Sequence, residues 1–239
     1  MPSRWLPLTL ALALALVAPQ AAAREPFAAT YELFFGGLRA ADITLSVAWQ
    51  GDRYTAESTI RARGLAAALL STDARATAHG NGISRPEPEG FRAEGRFGRT
   101  QQVVEMTYGG PSPLPMLADP PLRERPRDPS ADALKGALDP LSAAVAGLTP
   151  RPAEAACDTV LPVFDSRRRY DLKVGPPQRE ADGTLRCDGR FVRVAGFRDL
   201  SSGEFDDFQL IWRVEDDLAT LERAVVPTSW GTAVARRAR

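Results

Sequence analysis

The chain has 239 residues, 44% hydrophobic and 25% charged, which excludes wholesale disorder and a collagen-like fibre and leaves room for one medium domain or two small ones. Lys+Arg is 30 and Asp+Glu is 30, so the net charge is zero and a dedicated nucleic-acid binder, which carries a basic excess, is disfavoured. One histidine and two cysteines are too few for most zinc sites built from those residues.

Residues 1–23 read as a secretory signal peptide. Arg4 supplies the positive start, Leu6 to Val17 is an apolar run broken only by Pro7 and Thr9, and Ala21-Ala22-Ala23 fits a small-residue cleavage site. A membrane span needs about 20 apolar residues, so this run is too short to remain as an anchor, and no second run of spanning length follows. The competing reading is a buried N-terminal helix. No cysteine follows Ala23 directly, so the lipid attachment of a bacterial lipoprotein is not available. The rest is expected to be soluble in an oxidising compartment. Arginine-heavy usage, with lysine only at Lys135 and Lys173, joins the short Ala/Leu signal in pointing to a bacterial periplasm.

From there, period-2 alternation dominates. Phe27 to Phe35 reads as a strand ending at Gly36-Gly37. Ile43, Leu45, Val47 and Trp49 share one face of the next, and a Gln50-Gly51-Asp52 turn leads to a partner carrying Tyr54, Ala56, Ser58 and Ile60. Further strands are predicted at 72–79, 90–97 and 100–108. Seven prolines between 111 and 129 forbid a helix or an inner strand, so 111–130 reads as a long loop. Two short helices are predicted within 130–147. The first, near 130–136, has Ser130 as N-cap. The second, 140–147, has Asp139 as N-cap, Pro140 at its first position and Gly147 just past its end.

Strand patterns return after Cys157, at Thr159–Phe164 and Arg169–Val174, with a turn at Asp165-Ser166. Another covers Phe191–Val194. Phe208, Leu210, Trp212 and Val214 alternate cleanly, and Leu218–Val226 follows a turn at Asp216-Asp217. Residues 233–239 read as a disordered basic tail. About ten strands and little helix predict an all-β antiparallel fold: a curved sheet, or an open or partly closed barrel, with a small helical insert. The span 24–232 is expected to be a single β-rich domain. Cys157 and Cys187, the only cysteines, are expected to form a disulfide; closing a loop of this length stabilises by about 3–4 kcal/mol in the chain-entropy model. A reactive redox pair is the alternative, and such pairs are usually close in sequence.

A set of short motifs carries a resemblance. Tyr31-x-Leu33 precedes Gly37-Leu38-x-Ala40, and a turn precedes Tyr54. Gly64, His79-Gly80-Asn81-Gly82 and Pro86 follow. Next come Asp139-Pro140-Leu141-Ser142, Val163-Phe164-Asp165 with Arg167-Arg168-x-Tyr170, and Val194-Ala195-Gly196-Phe197. In this order, over roughly Tyr31 to Trp230, they resemble the exported bacterial family called domain of unknown function 3108. The resemblance implies a β-rich envelope protein without a known catalytic centre, and it supplies no functional residues.

The chemistry-bearing residues each have two readings. His79 with Ser71 or Ser84 and Asp73 is the one conceivable hydrolytic triad; otherwise His79 is a surface or turn residue. Glu204, Asp206, Asp207 and Glu215, Asp216, Asp217 suit paired-carboxylate chemistry or calcium, but also ordinary turns, and no calcium loop motif is present. Arg167, Arg168 and Arg169 are candidate contacts for lipid or lipopolysaccharide phosphates, or simply a solvated hairpin end. A concave face holding Ile43, Val47, Trp49, Phe208, Leu210 and Trp212 needs cover. Either the 130–147 helices close it as a core, or it encloses a cavity for an acyl chain. The leading expectation is a non-enzymatic envelope factor binding a lipid, lipoprotein segment or other hydrophobic ligand, with no cofactor, no metal and no nucleic acid. The alternative is a scaffold that binds another envelope protein, and, behind it, a carboxylate enzyme acting on glycans.

Overall fold

The computed structural model describes residues 24–64, 67, 73–82, 85–97, 100–110, 112–113, 117–200, 206–228 and 231–238. The signal segment 1–23 and three candidate residues, Ser71, Ser84 and Glu204, lie outside these.

Two antiparallel meanders make one sheet. The first is Phe27–Phe35 (β1), Leu38–Gln50 (β2), Arg53–Ala62 (β3), Asp73–Asn81 (β4), Glu87–Phe97 (β5), Thr100–Thr107 (β6) and the short Leu117–Asp119 (β7). After a two-residue strand, Arg151–Pro152 (β8), the second is Thr159–Phe164 (β9), Arg169–Arg179 (β10), Leu185–Ala195 (β11), Asp207–Glu215 (β12), Leu218–Thr228 (β13) and Gly231–Arg237 (β14). The order runs β7-β6-β5-β4-β3-β2-β1-β14-β13-β12-β11-β10-β9, with β8 beside β13. The edges, β7 and β9, come from the middle of the chain and do not pair, so the barrel stays open.

The expected basic tail is corrected: 231–237 is a central strand. Tyr31 pairs with Arg237 on one side of it and Val225 with Val234 on the other. Its inward residues include Ala235, too small to announce a strand by hydrophobic alternation, and its partner β1 lies at the opposite end of the chain. Arg236 reaches Glu32 at 3.1 Å, which uses the tail's charge in cross-strand pairing. Arg75–Glu57, Arg190–Asp207 and Arg213–Glu222 repeat this on exposed positions, which accounts for the balanced composition.

Between the two edges the chain drops into the concave side. Residues Asp132–Leu134 make only a 3-10 turn, with Ser130 Oγ accepting from Ala133 N at 3.3 Å, where a helix over 130–136 was expected. Pro140–Leu148 (α1) is the one full helix among the described residues. Asp139 caps it, accepting from Leu141 N at 3.0 Å and Ser142 N at 2.8 Å, and Pro140 fills the first position where no donor is needed. Gly147 lies inside the last turn instead of past the end. A Cβ there would stand 3.1 Å from Leu161 Cδ1 of β9, so the glycine lets the helix approach that strand.

The core has two main lobes. Phe27, Leu45, Val47, Trp49, Tyr54, Phe91 and Met106 pack with Leu141 and Val145 of α1. Tyr31, Val174, Leu185, Trp212, Ala219 and Leu221 pack with Ala156 and the Cys157–Cys187 disulfide. The two Cα atoms are 5.8 Å apart, and the bridge ties the loop before β9 to the inner face of β11. Among the described residues no helix is long and apolar enough to cross a membrane.

Candidate functional site

Helix α1 does not fill the concave side. On its β3–β6 flank lies a cavity of about 540 Å3, within the roughly 300–1,000 Å3 typical of small-molecule sites. Its wall is the inner face of the strands: Ile60 of β3, Ala74 and Ala76 of β4, Phe91, Ala93 and Gly95 of β5, and Val104 of β6. Leu141 and Ala144 of α1 roof it, Leu122 and Arg167 close the rim, and the lining is predominantly apolar. The empty space has a simple origin. Cross-strand pairs at this level are Ala76 with Ala93 and Ala74 with Gly95, and a Cβ at Gly95 would stand 2.8 Å from that of Ala74. One level along, Tyr54, Phe91 and Met106 restore a filled core.

A smaller cavity of about 170 Å3 lies on the other flank of α1, between Ala143, Gly147, Leu161, Leu172, Val174, Phe208 and Leu210. Arg151 borders it; its Nε donates to Thr149 O at 3.1 Å, its guanidinium lies 5.5 Å from the centre of the Trp212 ring, and burial lowers its pKa to about 10.

The helix start is a buried polar anchor. Asp139 is 0% exposed, Ser142 Oγ donates to its Oδ2 at 2.5 Å, and Tyr54 Oη in turn donates to Ser142 Oγ at 2.7 Å. Burial pushes the Asp139 carboxyl up to about 6 against these donors, and it holds the Tyr54 hydroxyl well above its ordinary range.

Of the six concave residues predicted, Val47, Trp49 and Trp212 are core, Ile43 packs at the second lobe's margin, and Phe208 and Leu210 line the smaller cavity. The wall of the larger cavity was missed. Its signal is present in the sequence as small residues at alternate positions, Ala74, Ala76, Ala78 and then Ala93, Gly95, which hydrophobic-face reasoning passes over because it looks for large side chains.

The three arginines separate. Arg167 half-faces the larger cavity and donates to Arg123 O at 2.7 Å. Arg168 is exposed and opens onto a cleft beside Arg125, Arg127, Arg193 and Arg198. Arg169 is buried, bonded to Asp171 Oδ1 at 2.7 Å and to Tyr170 O, so it does not serve as a free anion contact. His79 points outward on β4, its ring lying over Gly90. Asp73 is six residues away on the same strand, about 20 Å at a strand's rise, so the two cannot form a catalytic pair. Asp206 pairs with Arg193 and Asp207 with Arg190, while Asp216 and Asp217 form the β12–β13 turn with positive φ. Among the described residues no group of three or more His, Cys, Asp or Glu side chains converges.

A family model described as "Protein of unknown function (DUF3108)" matches residues 30–206. No curated protein matches the chain. A solved structure, a β-barrel-like protein of domain of unknown function DUF1849 from Brucella abortus, aligns with a TM-score of 0.46 and 11% identity, covering 90% of this chain and 96% of that one.

Proposed function

Because the chain belongs to the DUF3108 family, whose description assigns no activity, we propose its role from the cavity itself: a non-enzymatic, exported envelope protein that holds a hydrophobic ligand between α1 and β3–β6. The observation that carries this reading is an apolar space of about 540 Å3 produced by alanine and glycine at positions where the rest of the sheet places large side chains. At Ala76 and Ala93 a larger side chain would occupy this space, whereas Gly95 admits no Cβ beside Ala74. The outward placement of His79 and its distance from Asp73 favour binding over hydrolysis. The periplasm is the compartment this reading requires, in keeping with the signal-like 1–23 and the disulfide.

Native mass spectrometry of protein purified without detergent, beside a denatured run, tests it. A hydrophobic mass lost on denaturation is expected, and Ala93→Leu should abolish it while the protein stays folded. Wild-type protein that carries no ligand and takes up none from added fatty acids or phospholipids overturns the reading.

A scaffold is the second reading, and one observation favours it. The outer edges of β7 and β9 end the sheet, and Leu117 and Val160 on them are 70% and 54% exposed. A photo-crosslinker at Val160 that captures one reproducible envelope protein supports it; a ligand in the cavity with no crosslink argues for the first reading.

A further inference from the structure

Next to the cavity lies a second concavity of opposite character. It measures about 600 Å3 and is bordered by Arg125, Arg127, Arg168, Arg193 and Arg198, with Phe197 between them and Asp199 as the one acid in its wall. The guanidinium carbons of Arg168 and Arg193 each lie 5.6 Å from the Phe197 ring centre, so the aromatic face holds two of the cations in place. Arg125 is paired with Asp128 and Arg193 with Asp206; the carboxylate nearest Arg168 is Asp165, at 3.9 Å. Among the described residues, Arg127 and Arg198 have no ion-pair partner. Among the described residues, this wall therefore gathers five guanidinium groups around a single lining carboxylate, and two of the five stand outside any ion pair.

The backbone builds this cleft deliberately close to the Arg167 turn. Gly196 has φ +85°, and a Cβ on it would collide with Arg167 O, so glycine lets the 196–199 loop lie against that turn. The same two segments border both concavities: Leu122 and Arg167 line the apolar cavity, Arg125, Arg127 and Arg168 the basic cleft. They are stitched together by Arg167 Nη1 to Arg123 O at 2.7 Å and Arg125 Nη2 to Arg167 O at 3.2 Å. Apolar space and guanidinium cluster thus share one wall. Guanidinium forks match phosphate oxygens in geometry as well as charge.

We propose that the cleft formed by Arg125, Arg127, Arg168, Arg193 and Arg198 binds a phosphate group, and that the hydrophobic ligand is accordingly an anionic, phosphate-bearing amphiphile whose apolar part occupies the neighbouring cavity. The amphiphile half of this rests on the cavity reading above; the phosphate half stands on the cleft alone.

Calorimetric titration of the disulfide-intact protein with dodecyl phosphate, dodecanol and inorganic phosphate separates the two. The variant is Arg127→Gln with Arg198→Gln, both exposed and outside the ion pairs, so folding is preserved and is verified by its melting temperature. The expected result is dodecyl phosphate bound at least tenfold more tightly than dodecanol, with a drop of about tenfold in the double variant, weakening further with salt, while dodecanol binding is unchanged. Equal dodecyl phosphate affinity in both proteins, with dodecanol bound, overturns the phosphate site and leaves the cavity reading standing. Inorganic phosphate bound by the wild type and lost in the variant, with neither amphiphile bound, supports the phosphate site, assigns it to a soluble phosphate and overturns the amphiphile. No binding of any probe overturns both.

Discussion

Across β4 and β5 the inner positions beneath α1 carry Ala74, Ala76, Ala93 and Gly95, whereas on β11, β12 and β13 the inner positions carry Leu185, Cys187, Trp212 and Leu221. Both regions belong to one sheet and both face elements from the middle of the chain. The second is closed by Ala156 and Cys157, covalently fixed to Cys187, and Trp212 is 0% exposed there. The first is covered by α1, which packs against it through Leu141 and Val145 and leaves a cavity beside them. One lobe fills its inner face throughout, while the other fills it at Tyr54, Phe91 and Met106 and leaves it open at the level of Ala76 and Ala93.

That division can be broken or sharpened by substitution. The largest effect is expected at Trp212→Ala, which removes a fully enclosed ring from the filled lobe and should cost about 3–5 kcal/mol in urea unfolding. Replacing Cys157 and Cys187 together by alanine should lower stability by about 2–4 kcal/mol with little change in ligand uptake; uptake lost along with stability would mean the lobes are not separate.

Asp139, at the start of the helix between the lobes, adds a pH dependence. Its carboxyl is raised by burial from 3.8 to about 6, so between those values the folded protein keeps a proton the unfolded chain has released. Stability contributed by this group is therefore full below about pH 4 and falls as pH rises to 6, by about 3 kcal/mol. Asp139→Asn should flatten that slope in denaturation curves taken at pH 4 to 7; an unchanged slope would place its origin elsewhere.

The smallest effects make the sharpest contrast. Ala219→Leu in the filled lobe should cost about 1–3 kcal/mol through overpacking, while Ala93→Leu at the cavity wall should stay within about 1 kcal/mol of wild type. Equal costs measured by thermal unfolding would show the cavity to be closed in solution.

The alternating faces of β2, β3 and β12, the Asp139 cap and the cysteine pairing were legible because each is a local pattern or an arithmetic necessity. The last strand was not, since alanine at 233 and 235 carries no hydrophobic signal and its partner lies some 200 residues away, as Arg236 and Glu32 show. The basic run at 167–169 was visible, but which arginine opens outward depends on the bulge between Arg169 and Tyr170 and on the distant 123–128 and 196–199 segments. The cavity wall was hidden for the opposite reason: it is written in what is small.

The pairing of β1 with β14 also has a consequence in time. The two meanders share no backbone ladder until residues 231–237 are in place, because β14 lies between β1 and β13. The first meander can pair from β1 to β7 on its own, yet the outer edge of β1 stays bare until β14 pairs with it. Strand β14 is thus the keystone that joins the two meanders into one sheet.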